Sequence, residues 1–88
     1  MKIKENFNLR KIAGTWAVLP TGAASIDFTG ILTLNESGLM LWNLLVEDCT
    51  RETLAKALTE EYEVTFDEAL ADVEAFIEKL EKANCIDL

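Results

Sequence analysis

From Asn35 to Val46 the chain reads Asn-Glu-Ser-Gly-Leu-Met-Leu-Trp-Asn-Leu-Leu-Val, and wound as a helix it is apolar on almost every side. Asn35 is a good N-cap, and Glu36 in the first turn complements the helix dipole. A helix that presents Leu39, Met40, Leu41, Trp42, Leu44 and Leu45 around its circumference cannot rest on a surface with one face wet. It must be wrapped by the segments before and after it. In a chain of 88 residues that requirement consumes the whole sequence, so residues 1–88 form one domain with no second core and little room for a large internal pocket.

The segment before this helix reads as strands. Residues 7–13 mix polar and apolar side chains, Gly14 punctuates, and Trp16, Ala17, Val18 and Leu19 follow as an extended run. A hairpin is expected there, with a bulge or twist to reconcile the different parity of Phe7 and Leu9 on one side and Ile12 on the other. Pro20-Thr21-Gly22 and residues 27–30 are turn signals. A third strand covers residues 30–34, with Leu32 and Leu34 on one face and Ile31 and Thr33 on the other.

Two helices follow the apolar one. Thr50 caps a helix carrying Leu54, Leu58 and Tyr62 at four-residue spacing. Thr65 and Glu68 form a capping box ahead of Phe66, Ala69, Leu70, Val73, Phe76, Ile77 and Leu80, an apolar stripe over four turns. Asn84 stands where a left-handed C-cap residue belongs, and Cys85-Ile86 offer a short closing strand. Strands gathered before helices imply an α+β fold: a winged-helix-like arrangement of a three-stranded antiparallel sheet followed by a three-helix bundle. Trp42 is read as core, and Trp16 as core in preference to a surface groove.

Charge narrows the function. The net charge is −8, with residues 1–34 carrying four bases against two acids and residues 35–88 four bases against fourteen acids. Such a surface repels phosphate backbones, which argues against nucleic acid as a partner. The uncharged stretch at residues 12–26 is broken by Thr15, Pro20, Thr21, Gly22 and Ser25, and the densest apolar run, residues 38–46, is half the length of a membrane span. A cytoplasmic protein without a membrane partner is expected.

No catalytic constellation stands out. Histidine is absent, so the serines, threonines and cysteines lack the usual activating base. The glycines are isolated rather than gathered in a phosphate loop, and the abundant carboxylates read as a solvated helix face. Cys49 and Cys85 form no metal-binding pair and are read as reduced thiols. No cofactor and no metal are expected. What is left is a binding surface: an edge strand beside an amphipathic helix supplies unpaired main-chain groups and a groove, the requirements for strand addition by a peptide.

Leu34-Asn35-Glu36, the run through Leu41-Trp42 and Leu45, and then Asp72-Val73, Phe76-Ile77 and Leu80 closely resemble the PqqD family, named for pyrroloquinoline quinone biosynthesis and known in peptide-modifying pathways as the RiPP recognition element. Val18-Leu19-Pro20 and residues 26–31 also look like a subgroup of these proteins, so the likeness spans residues 9–86. Two departures are Glu47-Asp48-Cys49 and Asn84, where many members carry glycine. The resemblance implies a non-catalytic module, a monomer or weak dimer. It would hold the leader of a ribosomally made precursor peptide and present it to a modifying enzyme, often a radical SAM protein. It also implies a leader strand paired with the backbone of Gly30, Ile31, Leu32 and Thr33 and packed against Asp72, Phe76, Lys79 and Leu80 of the third helix.

Two other readings compete. A winged-helix DNA-binding regulator needs a basic recognition helix, yet the third helix carries Asp67, Glu68, Asp72, Glu74, Glu78 and Glu81 against Lys79 and Lys82. A small acidic enzyme or enzyme subunit lacks a base, a cofactor motif and the volume for a pocket.

Overall fold

The computed structural model describes residues 1–5, 7–21 and 32–88. Its elements run β1 (Lys2–Ile3), β2 (Phe7–Ile12), β3 (Thr15–Pro20), β4 (Leu32–Leu34), α1 (Glu36–Leu45), α2 (Arg51–Glu61), α3 (Phe66–Lys82) and β5 (Ile86–Asp87). Strands β2, β3 and β4 form an antiparallel sheet in that order and the three helices follow, which is the α+β architecture the sequence implies. The turn signals at Gly22 and at residues 27–30, together with Gly30 and Ile31 of the expected third strand, lie outside the described residues.

The β2–β3 hairpin closes through Ala13 and Gly14, whose φ angles of 52° and 81° are both left-handed, the signature of a type I′ turn. No bulge interrupts the ladder, which is continuous from Phe7↔Pro20 to Ile12↔Thr15. The parity conflict resolves differently: Phe7 and Leu9 pack against the core, whereas Ile12 lies on the opposite face and is 54% exposed.

This tight turn also sets the hydrogen-bond phase of the sheet. A two-residue loop is flanked by a hydrogen-bonded pair, so Ile12 and Thr15 exchange main-chain bonds, as do Arg10 and Ala17 two residues on. Ala17 therefore turns its main-chain groups toward β2, and β3 offers β4 those of Trp16 and Val18. Thr33, opposite Ala17, faces its own N–H and C=O outward from the sheet.

The helices begin where their caps dictate. Asn35 Oδ1 accepts the Gly38 N–H at 2.8 Å, Thr50 Oγ1 the Thr53 N–H at 3.2 Å, and Thr65 and Glu68 complete the reciprocal capping box. At the far end of α3, Asn84 adopts φ of 59° and turns the chain into β5. Arg51 and Glu74, 2.6 Å apart, tie the start of α2 to the middle of α3.

Val18, Leu45, Leu54, Val73, Ile77 and Leu80 are buried in one core with Leu41 and Trp42. Helix α1 is buried along one face, Gly38, Leu41, Trp42 and Leu45, while Leu39, Met40 and Leu44 are half-buried, so it is covered less completely than its composition implies. Trp16 is half-buried, with Lys11 Nζ 6.0 Å from its ring centroid. An element the sequence does not announce completes the fold: β1 pairs antiparallel with β5, Lys2 opposite Asp87 and Ile3 opposite Ile86. Among the described residues no helix is long and apolar enough to cross a membrane.

Candidate functional site

Strand β4 forms one edge of the described sheet. Leu32 and Leu34 point into the core at 5% exposure each, and Thr33 between them is exposed. With its N–H and C=O turned outward, Thr33 presents one donor and one acceptor of the kind an added strand uses.

Beside this edge lies a groove of about 660 Å³. Thr33 and Leu34 form one wall, Gly38 and Leu41 of α1 the next, Leu58, Tyr62 and Val64 the end, and Asp72, Ala75, Phe76 and Lys79 of α3 the opposite wall. Its lining is apolar in the middle, and charged side chains stand only on α3. Gly38 leaves room for the Phe76 ring of α3 to pack against α1 here: a Cβ on it would stand 3.3 Å from Phe76 Cε1 and 3.1 Å from the capping Asn35 Oδ1.

Lys79 reaches across to the strand, where its Nζ donates to the Thr33 carbonyl at 3.1 Å. Helical spacing explains why it does so. Its neighbours three and four residues away are Phe76, Lys82, Ala75 and Ala83, none of them acidic. The ion pairs among the described residues are Met1 with Asp48, Arg51 with Glu74 and Lys82 with Glu78, so among those residues Lys79 holds no carboxylate despite the excess of acids. Asp72, two turns earlier on the same wall, likewise has no base three or four residues away.

Of the residues singled out from the sequence, the structure thus brings Thr33, Asp72, Phe76 and Lys79 to one groove. Phe76 is half-buried there, while Asp72 and Lys79 are exposed. Leu32 is not part of the groove: its side chain is core, and its main-chain groups, paired with Val18, face β3 and not the open edge. Leu80 is fully buried and is not part of the groove wall, facing the core with Val73 and Ile77. Gly30 and Ile31 lie outside the described residues. Tyr62 and Val64 were not legible as site residues, because the four-residue spacing from Leu54 and Leu58 assigns Tyr62 to the core stripe of α2. Tyr62 is instead the C-cap of that helix and 39% exposed, at the end of the groove.

The cysteines stand apart from the groove. Cys85 is fully buried, and burial pushes its thiol pKa up to about 11. Cys49 donates to the Leu44 carbonyl at 3.0 Å. Among the described residues no cluster of three or more Cys, Asp and Glu side chains is placed to hold a metal ion.

The sequence model described as coenzyme PQQ synthesis protein D (PqqD) matches residues 16–86. A comparison with curated proteins found no match. Two solved structures share the fold. One is TbiB1 in complex with the TbiA(beta) leader peptide, with a TM-score of 0.77 and 22% identity over 99% of this chain and 95% of that one. The other is lasso peptide synthetase B1 complexed with its leader peptide, with a TM-score of 0.71 and 18% identity over 92% and 89% of the two chains.

Proposed function

Because this chain belongs to the PqqD family, we propose that it is a non-catalytic peptide-binding module which captures the leader of a ribosomally made precursor peptide and presents it to a modifying enzyme, such as a radical SAM protein. The leader adds as a strand on the outer edge of β4 and lays alternate side chains into the groove against α3. The observation that carries this reading is the outward-facing main chain of Thr33 beside the apolar groove that ends at Tyr62. That both solved neighbours were obtained with leader peptides bound supports it. The module acts as a monomer or weak dimer, since strand addition consumes one edge and needs no second copy.

A DNA-binding role finds no support in the same geometry. Asp67, Glu68, Asp72, Glu74, Glu78 and Glu81 are all exposed on α3, the helix that would have to approach phosphates.

The test is a titration of isotope-labelled protein with the N-terminal segment of any short precursor encoded beside the gene. Amide shifts confined to residues 32–35 and 72–79, with new exchange protection at the Thr33 N–H, are expected. No binding on a folded sample, or shifts centred on the β2–β3 hairpin, would overturn the reading.

A further inference from the structure

Lys79 and Asp72 give the groove a polarity. On α3 they are seven residues apart, ~10 Å along the axis, and they flank Phe76 on one wall. The direction of α3 relative to β4 follows from the contacts: Lys79 meets Thr33, while Phe76 lies against Gly38, beyond the strand's end. Along β4 and into α1, the facing residues of α3 therefore run backward, from Lys79 through Phe76 toward Asp72. A strand added antiparallel to β4, in keeping with the rest of the sheet, runs in the same direction as α3. Its N-terminal part lies nearer Asp72 and its C-terminal part nearer Lys79.

Phase assigns the side chains. If a peptide residue pairs with Thr33, its own side chain shares the exposed face of Thr33, and the residues on either side of it turn to the other side of the sheet, the side of Leu34 and Leu32, where the groove lies beyond the edge of β4. The preceding residue meets the apolar floor at Leu34 and Phe76, and the following one meets Lys79. Two residues before the apolar one, the next groove-facing side chain approaches Asp72. Groove-facing positions four apart span ~13 Å of extended chain, which long side chains match to the separation of the two charges.

Resting on the leader-capture reading, we infer that the groove selects peptides with a basic residue, an apolar residue and an acidic residue at alternate positions, in that order from N- to C-terminus, and that Lys79 is the acid-selecting residue. In the free protein its ammonium occupies the Thr33 carbonyl. An added strand supplies a main-chain N–H to that carbonyl, and the released ammonium pairs with the peptide carboxylate.

Panning a display library of random dodecapeptides against the wild type, Lys79→Glu and Asp72→Lys tests this. Both positions are exposed, so the variants are expected to fold. Wild type should enrich the basic–x–apolar–x–acidic pattern. Lys79→Glu should invert the last position to basic while keeping the apolar one, and Asp72→Lys should invert the first. For one selected peptide, Lys79→Met should weaken binding about 2- to 5-fold, less at high salt, with Lys79→Arg restoring it. A merely structural lysine would not reverse the charge it selects. Peptides that protect the Thr33 amide but show the same charge pattern against all three proteins would overturn this inference and leave leader capture standing. Failure to enrich any peptide that protects Thr33 would overturn both.

Discussion

The two edges of the three-stranded sheet are defended in opposite ways. β2 is six residues long and carries its own protection: Asn8, Arg10 and Lys11 are exposed along it, and like charges on an edge discourage pairing with another chain. β4 has three described residues and no charged side chain. Its guard is borrowed from α3, as the Lys79 ammonium on the Thr33 carbonyl. A charge built into the strand is permanent, whereas one that reaches in from a neighbouring helix can leave without disturbing the ladder. The first arrangement closes an edge and the second holds one ready.

Proline substitution should separate the edges most sharply. The N–H groups of Thr33 and Lys11 both point away from β3, so neither Thr33→Pro nor Lys11→Pro breaks a sheet bond. Thr33→Pro should reduce leader affinity by ~10-fold or more through a lost main-chain bond and a clash, while Lys11→Pro leaves it within ~2-fold. Equal losses in calorimetric titrations would erase the distinction. Next in size, Phe76→Ala removes the apolar floor beside β4 and should cost ~10-fold in affinity, with Phe76→Leu recovering most of it and a thermal melt reporting any loss of fold.

A perturbation of the common core should spare neither edge. The Cys85 thiol stays protonated to about 11 when folded, whereas an unfolded thiol ionises nearer its ordinary value. The unfolded chain thus loses its proton first. The contribution of Cys85 is complete below the unfolded pKa and is lost as pH rises through the folded one. Denaturant midpoints should fall between about pH 9 and pH 11 and do so less in Cys85→Ala, and amide exchange should rise at both edges together. The smallest effect belongs to the β2 side. Ala13→Asn relieves a left-handed alanine with the residue that type I′ turns prefer, and should stabilise the domain by ~0.5–1 kcal/mol without altering peptide affinity.

What could be read from the residues divides by range. Asn35, Thr50 and the Thr65/Glu68 box cap their helices as expected, because each acts on groups three residues away. The alternation of Leu32, Thr33 and Leu34 is legible for the same reason. β1 escapes because it is two residues long and its partner is at the other end of the chain. The Lys79–Thr33 bond spans 46 residues, and nothing local to either residue implies it. Helical spacing places Phe76 and Leu80 on one stripe, but only the packing of α1 separates them, Leu80 turning into the core and Phe76 standing at its margin against Gly38. Tyr62 shows the converse, a residue with core spacing that the end of α2 releases to the groove.

The β1–β5 ribbon has a mechanical consequence. Its two residue pairs set Lys2 beside Asp87, and neither strand contributes to the groove. Tension between polypeptide joined ahead of β1 and behind β5 would load this ladder in an unzipping geometry, breaking its bonds one after another. Because Ile3 and Ile86 are buried in the common core, opening the ribbon would also draw two side chains out of the cluster that supports β4 and α3.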